Sequence, residues 1–315
     1  MARPLFSILV PAYKDLFFKE CIDSILAQTF TNYEIIIVND ASPYSIEEII
    51  KLYDDSRIEY HVNEKRYGAV DLVKNWNQAL DYVKGDYLIC MGDDDRLLPT
   101  CLEEYYKLIE KYPESDIFHT RAQIINECGE IIDLQVNRPE QESVYSMIWH
   151  HCKGRRQYIG DYLFKTISLR QNGGFFDTPC AWASDDISSF IAAKEKGVIN
   201  TNVYGFQYRI SSSTITNSNY AYEKSKAHLK ALEWYKCFLK EIPKNENDRI
   251  YKNLIEKKIS NYIYTRIYDK QIMGELKEHP LRLFKWMKRR KEFSLSIRRL
   301  LSIWHLAIRE KGYWI

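Results

Sequence analysis

The sequence lacks several features that would assign it to common protein classes. Its seven cysteines are scattered, odd in number and without a Cys-x-x-Cys pair, which argues against a disulfide scaffold and for a reducing compartment. No apolar run approaches the roughly 20 residues that a membrane-spanning helix needs. No internal repeat and no low-complexity linker interrupts the 315 residues. A hydrophobic content of 45% indicates a folded globular chain.

Glycine is missing where a dinucleotide-binding protein would need it. The first predicted strand, residues 5–10, is followed by Pro11-Ala-Tyr-Lys-Asp15 and not by a glycine-rich loop. A Gly-x-Gly-x-x-Gly turn brings backbone N–H groups against a pyrophosphate in such folds. The sequence therefore predicts no such site. The same loop weighs against a sugar-phosphate nucleotidyltransferase, which would have to hold a triphosphate there.

Strand and helix patterns alternate from residue 5 onward. After the first strand, short apolar runs predict strands at residues 34–38, 58–62 and 87–91. Helical spacing predicts helices after Asp15, after Ser45 and over Val70–Val83. Asp15 is the predicted cap of the first helix, and Ser45 with Glu48 is a predicted capping box for the second. This alternation predicts an α/β fold with a mostly parallel sheet and right-handed crossovers.

The most informative stretch is the acidic run that follows the strand at residues 87–91. Asp93, Asp94 and Asp95 are consecutive, and Pro99 stands where the next helix would begin. Carboxylates at the carboxyl end of a central strand lie where open α/β sheets bind ligands. Three adjacent carboxylates repel one another unless a cation compensates, and oxygen ligands with a substrate phosphate suit Mg²⁺ or Mn²⁺. The run predicts a metal–diphosphate site, and a solvated acidic turn is the alternative.

Two other positions carry candidate carboxylates. Asp40 follows the second predicted strand, so it should lie at the same edge of the sheet as the acidic run. Asp185 and Asp186 open a predicted helix that ends at Gly197. The helix dipole favours carboxylates in a first turn, so a purely structural role is the alternative for this pair.

The C-terminal part of the chain, from residue 221, has a helical pattern and an uneven charge. Residues 279–315 contain ten Lys or Arg and two Glu, a net charge of +8, against a formal +2 for the whole chain. The last predicted helix carries an apolar stripe of Ile297, Leu300, Leu301, Trp304 and Ile308. Two interpretations stay open: a basic amphipathic helix resting on anionic lipid, or a helix packing Trp304 and Leu301 on the catalytic domain. Nucleic acid is not predicted as a partner, because no reader motif accompanies the basic residues.

Five motifs, taken in order, resemble family 2 glycosyltransferases of the GT-A fold. They are Ser7-Ile-Leu-Val-Pro-Ala-Tyr13, Ile37-Val-Asn-Asp-Ala-Ser42, Gly85-Asp-Tyr-Leu, Gly92-Asp-Asp-Asp95-x-x-x-Pro99 and Trp182-Ala-Ser-Asp-Asp186. The resemblance spans roughly residues 4 to 215 and, with all five motifs in order, is specific. It implies a Rossmann-like, mostly parallel central sheet flanked by helices. The expected division is a GT-A domain at 1–218, with a nucleotide-sugar half at about 1–98 and an acceptor half at about 99–218, followed by a helical region at 219–315.

The resemblance also implies a role for individual residues. Those implied to bind the donor are Pro11, Ala12, Tyr13, Asp15, Asp40, Gly68, Asn77, Asp93 and Asp94. Within this set Asp40 would hydrogen-bond the base, usually uracil. Asp94 and Asp95 are the implied metal ligands, and Asp186, with Asp185 as the alternative, is the implied catalytic base. Two positions depart from the family pattern: Gly92 replaces the first aspartate of Asp-x-Asp-Asp, which leaves metal binding open among the three carboxylates, and Asn39 replaces an acidic residue.

The expected enzyme therefore transfers a sugar, with inversion, from a nucleoside diphosphate, UDP, to an acceptor hydroxyl, with Mn²⁺ or Mg²⁺ as cofactor. Its expected partners are a nucleotide-sugar and a saccharide or lipid-linked saccharide, in surface polysaccharide or glycolipid assembly. Acceptor loops are expected at residues 135–161 and 211–219. The expected location is the cytoplasm, with contact to the inner face of the membrane through residues 279–315. A catalytically silent nucleotide-sugar-binding subunit is the alternative.

Some side chains are set aside at this point. His150-His151-Cys152 is not predicted to bind metal, because adjacent side chains point in different directions and no partner cluster is visible. The aromatic residues Trp149, Tyr158 and Trp182 can stack on sugar rings, but core packing is the preferred use of each.

Overall fold

A computed structural model of the chain describes residues 3–211 and 220–311. The chain divides into two compact units, of which the first is Met1–Asp177 with Ser184–Thr214. The second is Thr178–Ala183 with Ile215–Ile315. The predicted boundary between residues 218 and 219, and most of the predicted acceptor loop at 211–219, lie outside the described residues.

The first unit is built on one mixed sheet, which has ten strands within the described residues. The strands are β1 (Phe6–Ala12), β2 (Tyr33–Asn39), β3 (Ile58–Val62), β4 (Tyr87–Cys90), β5 (Arg96–Leu97), β6 (Ile117–Ile125), β7 (Ile131–Leu134), β8 (Gln141–Glu142), β9 (Tyr162–Lys165) and β10 (Val198–Arg209). Their order is β3-β2-β1-β4-β9-β6-β10-β5, with β7 on β6 and β8 on β10. The first four are parallel, as predicted, whereas β9 runs antiparallel to β4 and β6.

Helices cover this sheet. They are α1 (Phe18–Leu26), α2 (Ile46–Ile50), α3 (Leu72–Ala79), α4 (Cys101–Lys111), α5 (Val144–Cys152), α6 (Thr166–Gln171) and α7 (Ser184–Ala192). Strands β1 and β2 are buried almost throughout, with Ile8, Leu9, Ile35 and Ile36 fully enclosed, because helices shield both faces of a parallel sheet.

Both predicted helix caps are wrong. Neither Asp15 nor Ser45 makes a side-chain cap: α1 has Phe17 at its N-cap position, and Ser45 precedes α2 without a capping hydrogen bond. The Asp15 carboxylate instead accepts the backbone N–H of Ser45 at 3.4 Å, which links the loops after β1 and β2. The third helix is also shorter than predicted, since α3 ends at Ala79 and a 3₁₀ turn continues to Tyr82.

Two residues of the sequence motifs, Ser7 and Gly85, fix the register of β4 relative to β1. The Ser7 hydroxyl accepts the Gly85 N–H at 2.8 Å and donates to Glu34 at 2.6 Å. Glu34 also accepts the Lys84 N–H at 2.8 Å. A Cβ at Gly85 would lie 2.6 Å from the Ser7 hydroxyl oxygen, so only glycine fits this approach. The acidic run that follows β4 is thereby fixed relative to the end of β1.

The second unit is helical in its described part. Its helices are α8 (Ala221–Phe238), α9 (Glu246–Thr265), α10 (Met273–Glu278), α11 (Leu283–Arg289) and α12 (Ile297–Glu310), and a π-helical segment, Arg266–Ile272, joins α9 to α10. The turn Pro179–Ala181 packs on α8. Trp182 donates its indole N–H to His228 at 2.9 Å, and the Lys224 ammonium lies 4.6 Å from its ring centre. Trp182 therefore packs against α8 within its unit, and core packing is the role that the sequence favoured for it over stacking on a sugar ring.

The apolar stripe predicted for the last helix is partly wrong. Leu300, Ile303, Ala307 and Ile308 are buried, and α12 packs on α10 of its own unit. Leu301, assigned to the stripe by the sequence, is 43% exposed. The buried side chains of Leu300, Ile303 and Ala307 follow spacings of three and four residues along one side of the helix. Among the described residues, no helix combines the length and the apolarity needed to cross a lipid bilayer.

Candidate active site

The carboxyl ends of β2, β1 and β4 are neighbours in the sheet, and the predicted donor residues cluster there. Pro11 and Ala12 close β1, and Ala12 accepts the N–H of Asp40 at 2.9 Å. Tyr13 is joined to both flanking strands: its N–H reaches Asp93 at 2.7 Å, and its carbonyl accepts the Ser42 hydroxyl at 2.5 Å. The ends of three strands thus form one continuous surface.

Asp40 holds the loop that follows β3. It is only 5% exposed, and its Oδ1 accepts the N–H of Tyr67 at 2.8 Å and the Asn63 amide at 3.1 Å. Its Oδ2 accepts the N–H of Gly68 at 2.8 Å. Gly68 has a φ of +67°, a conformation that glycine adopts without strain. The carboxylate shapes the wall of the site, and its contact with a base stays a prediction.

Next to Gly68, Arg66 of the same loop forms an aromatic and cationic surface with Tyr13 and Tyr44. The Arg66 guanidinium lies 4.0 Å from the ring centre of Tyr13, and the Tyr44 ring meets Tyr13 edge-on at 5.7 Å. Stacked aromatic rings and guanidinium groups are what a nucleotide base packs against. Tyr13 was predicted here from the sequence, whereas Arg66 was not.

Asn77 has a different environment from the one predicted. Its amide nitrogen donates to the Phe175 carbonyl at 2.9 Å, and its amide oxygen accepts the Phe175 N–H at 2.7 Å. These two hydrogen bonds connect α3 with the segment that precedes Asp185 and Asp186 of α7. A role for Asn77 at the donor is therefore supported by its position alone and stays a prediction.

The three consecutive aspartates have distinct surroundings. Asp93 accepts the N–H groups of Tyr13 and Lys14 through one oxygen, at 2.7 and 2.8 Å, and so holds the loop after β1. Asp95 is 5% exposed and accepts the backbone N–H of Arg209 at 2.9 Å. Asp94 is partly exposed, and within residues 3–211 and 220–311 its carboxylate accepts no hydrogen bond from another residue.

Burial raises the pKa of each carboxyl in this run. Desolvation and the charge of Asp94 raise the pKa of Asp93 to about 6, although N–H donation from Lys14 and Tyr13 opposes the shift. The same two causes raise the pKa of Asp95 well above its usual value. Desolvation also raises the pKa of Asp94, against the positive charges of Lys14 and Arg209. Ionising all three together is unfavourable without a cation, which is the electrostatic condition of a metal site.

Gly92 explains how the run can depart from the family pattern. A Cβ at this position would lie 2.9 Å from Asp94 Oδ1 and 3.0 Å from Asp95 Oδ2. The absence of a side chain allows both carboxylates to turn toward Gly92, where an aspartate would displace them.

Arg209, at the end of β10, is the main site residue that the sequence did not reveal. It is fully buried, and its Nε donates to the Asp94 carbonyl at 2.8 Å. Its other nitrogens reach Glu20 at 2.8 Å and the Glu127 carbonyl at 3.1 Å, and its plane lies 4.1 Å from the Phe17 ring centre. The only available signal was an arginine inside an apolar strand pattern, which does not identify its partners.

The acidic pair opens α7. Asp185 Oδ1 accepts the backbone N–H of Asp186 at 2.9 Å, so this carboxylate is engaged by its own helix. Asp186 Oδ1 accepts the Gln157 amide at 2.9 Å and lies 3.2 Å from Nδ1 of His151. The Tyr162 hydroxyl holds Gln157 by donating to its amide oxygen at 2.8 Å. Gln157 and His151 both lie in the segment 135–161 where acceptor loops were expected, but no individual role was predicted for either.

A short series of contacts connects Asp186 with the end of β4. Gln157 leads into the 3₁₀ turn Ile159–Asp161, which precedes β9, the antiparallel neighbour of β4. A Cβ on Gly160 would lie 3.2 Å from the Cβ of Met91, the residue before Gly92. The structure thus places Asp40, the acidic run and Asp186 at one end of the sheet.

The acidic run fits a divalent ion that is completed by substrate. Among the described residues, no group of three or more His, Cys, Asp or Glu side chains is placed to hold a metal by itself. Mg²⁺ and Mn²⁺ sites commonly use one or two carboxylates and fill the shell with water and phosphate oxygens. The partly exposed Asp94, beside the buried Asp95, fits that donor set.

Sequence comparison identifies a matching family. The model described as glycosyl transferase family 2 matches residues 7–188. An uncharacterised glycosyltransferase of Rickettsia typhi is 27% identical over 262 residues, 77% of this chain and 74% of that protein. The chondroitin synthase of Pasteurella multocida is 31% identical over 155 residues, 48% of this chain but only 16% of that protein.

Structural comparison gives the fold. S. aureus TarS 1-349 in complex with UDP-GlcNAc superposes with a TM-score of 0.65 at 14% identity, covering 97% of this chain and 80% of that one. The mannosyltransferase PcManGT of Pyrobaculum calidifontis, in complex with GDP-Man and Mn²⁺, has a TM-score of 0.56 at 15% identity and covers 100% and 88%. The predicted family resemblance and the predicted GT-A fold with its C-terminal helical region are both confirmed.

Proposed function

This chain belongs to glycosyl transferase family 2, and we propose that it transfers a sugar from a nucleoside diphosphate to an acceptor hydroxyl with inversion at the anomeric carbon. The observation that carries the proposal is the position of Asp186, at the end of the sheet that also presents Asp93, Asp94 and Asp95. A carboxylate that accepts a proton and an acidic run that suits a diphosphate–metal complex are the two parts that this chemistry requires.

The donor side of the reaction is assigned to the surface at the ends of β1 and β2. We propose UDP as the nucleotide, with its base against Tyr13 and Arg66 and beside the loop that Asp40 holds. The stacked pair of Arg66 and Tyr13, 4.0 Å apart, supports this position. One structure of comparable fold, S. aureus TarS 1-349, is a complex with UDP-GlcNAc.

Asp94 and Asp95 are the proposed ligands of Mn²⁺ or Mg²⁺. Asp94 is the more accessible of the two, while Asp93 is committed to the Tyr13 and Lys14 N–H groups. A divalent ion held there offsets the charge that develops on the departing diphosphate. The raised pKa values of the run mean that protons compete with the ion, so metal affinity should weaken in acid.

Asp186 is the proposed base. The acceptor oxygen bonds to the anomeric carbon on the face opposite the diphosphate, the bond to the diphosphate breaks, and the hydroxyl proton passes to Asp186. Asp185 is less suited to this role because its carboxylate accepts the N–H of its own helix. A general base of this kind contributes about 10²–10⁴-fold to rate.

The test of the proposed base is Asp186→Asn, with Asp185→Asn as the matched variant. Asp186→Asn should bind UDP with unchanged affinity in calorimetry, yet lose at least about a hundredfold in Mn²⁺-dependent turnover of nucleotide-sugars. Asp185→Asn should lose much less. Full transfer by Asp186→Asn refutes the assignment. A wild-type protein that binds donor but neither transfers nor hydrolyses it would favour the silent binding subunit.

The acceptor is proposed to be a lipid-linked saccharide, in surface polysaccharide or glycolipid assembly, reached at an anionic membrane face. A surface on α11 and on the 3₁₀ turn before it, Pro280–Arg282, supports the membrane contact. Leu281 is 83% exposed and Phe284 65% exposed, and the exposed Lys285 and Lys288 lie beside them. Apolar side chains flanked by lysines are the composition of an interfacial helix on anionic lipid. The cytoplasmic location stays a prediction.

A further inference from the structure

We propose that His151 is a positioning residue for Asp186, holding the carboxylate in the orientation in which it accepts the acceptor's proton. This inference rests on the proposed function, since it requires Asp186 to be the base. It assigns a role to one member of the His150-His151 pair that the sequence left without one.

The contact joins two elements that are distant in the chain. His151 lies near the end of α5, and its Nδ1 is 3.2 Å from Oδ1 of Asp186 on α7. Both side chains are mostly enclosed, at 11% and 15% exposure. The imidazole edge meets the Phe190 ring at 5.9 Å and an interplanar angle of 74°, so the ring is packed by α7 from a second side.

The chemistry of the pair specifies the tautomer. An ionised carboxylate can only accept, so Nδ1 of His151 must carry the proton of this contact. Gln157 donates to the same carboxylate oxygen at 2.9 Å, so one hydrogen bond and one close polar contact restrict rotation of the carboxylate about its last torsion. The imidazole N–H is not aligned for a straight hydrogen bond. Contacts of catalytic groups often tighten only when substrate is bound.

The support behind this pair is itself rigid. Gln157 is 6% exposed and accepts from the fully buried Tyr162 hydroxyl, which in turn accepts from Arg138 at 3.0 Å. Asp186 is therefore held from both α5 and the segment before β9. A carboxylate on the first turn of a helix would otherwise sample several rotamers, and misplacement by 1 Å can cost about a hundredfold in rate.

Several other ionisable groups lie around the pair. Asp185 adjoins Asp186 on α7, and His150 adjoins His151 on α5. Arg155 pairs with Glu142 at 2.8 Å, which compensates both charges. Arg138 and Asp161 lie behind Gln157. A protonated imidazole at position 151 favours the charged carboxylate and weakens it as a base, so the positioning role requires the neutral imidazole.

Two substitutions separate positioning from packing. His151→Phe keeps a ring beside Phe190 but has no N–H, whereas His151→Asn places an amide N–H close to the Nδ1 position. We expect kcat for transfer to fall about tenfold to a hundredfold in His151→Phe, with the donor KM and the UDP affinity unchanged. His151→Asn should recover most of kcat. His150→Phe, the same change on the exposed neighbour, should leave kcat unaltered.

Equal losses in His151→Phe and His151→Asn would overturn the inference, as would a wild-type kcat in His151→Phe. Retained UDP binding shows that each variant is folded. If Asp186→Asn is inactive while His151→Phe is fully active, only this inference fails. If Asp186→Asn is fully active, the proposed function fails with it.

Discussion

Arg209 and Asp94 are joined through the backbone of Asp94: the guanidinium Nε donates to the Asp94 carbonyl at 2.8 Å. The N–H of Arg209 itself donates to the Asp95 carboxylate at 2.9 Å. One buried residue at the end of β10 thus fixes the chain on which the proposed metal ligands stand. Its side-chain charge is balanced by Glu20, which it contacts at 2.8 Å.

Replacing Arg209 should therefore destabilise the whole first unit. Arg209→Met removes a buried cation and leaves the Asp94 and Glu127 carbonyls without their donor. We expect the free energy of unfolding to fall by about 1–3 kcal/mol in urea titrations, the cost of leaving an interior acceptor without its donor. Lys51→Met, which removes an exposed pair with Glu47, should change it by under about 1 kcal/mol. A similar small change for both variants would contradict the buried role of Arg209.

Gly92 should control metal affinity. In Gly92→Ala the new Cβ would approach Asp94 Oδ1 to 2.9 Å and Asp95 Oδ2 to 3.0 Å, so the carboxylates must move. We expect Mn²⁺-dependent UDP binding, measured by calorimetry, to weaken about tenfold, equivalent to about 1.4 kcal/mol. Gly274→Ala is the control, because a Cβ there meets nothing within 4 Å. Unchanged Mn²⁺ dependence in Gly92→Ala would argue against a metal site at the acidic run.

Asp161 should make stability depend on pH. Desolvation raises the pKa of this buried carboxyl to about 8, with Arg138 opposing the shift. Because the unfolded group ionises near pH 4, the folded state holds the extra proton between about pH 4 and pH 8, and stability falls as pH rises through that window, by up to about 1.4 kcal/mol per unit. Asp161→Asn mimics the protonated acid and should flatten this slope in urea titrations at pH 5.5 and 8. Asp133→Asn, at an exposed site, should keep it.

The apolar pair before and on α11 should determine binding to anionic membranes. Full-length Leu281→Ser/Phe284→Ser should co-sediment several-fold less with vesicles that contain phosphatidylglycerol, and wild-type binding should weaken with added salt. Ile242→Ser is the matched control, because Ile242 is also 83% exposed and belongs to the same unit, but it lies between α8 and α9 and not on α11. Equal sedimentation of the double variant and the wild type would remove the membrane proposal.

Local patterns in the sequence were sufficient for the parallel strands, the acidic run after β4 and a helix that carries Asp185 and Asp186 in its first turn. These depend on periodicities and on residues adjacent in the chain, which is why the five motifs also identified the family. The helix caps were mispredicted because the Asp15 carboxylate accepts the Ser45 N–H instead of capping α1, and the Ser45 side chain makes no capping hydrogen bond to α2.

The sequence by itself therefore determined which elements form and which carboxylates stand at strand ends, since both follow from short-range pattern. Only the tertiary structure decided which side chains support them. Arg209 lies 115 residues from the Asp94 it holds, and Gln157 lies 29 residues from Asp186. Such partners are chosen by the packing of strands and helices that meet only after folding, and no local spacing records that choice.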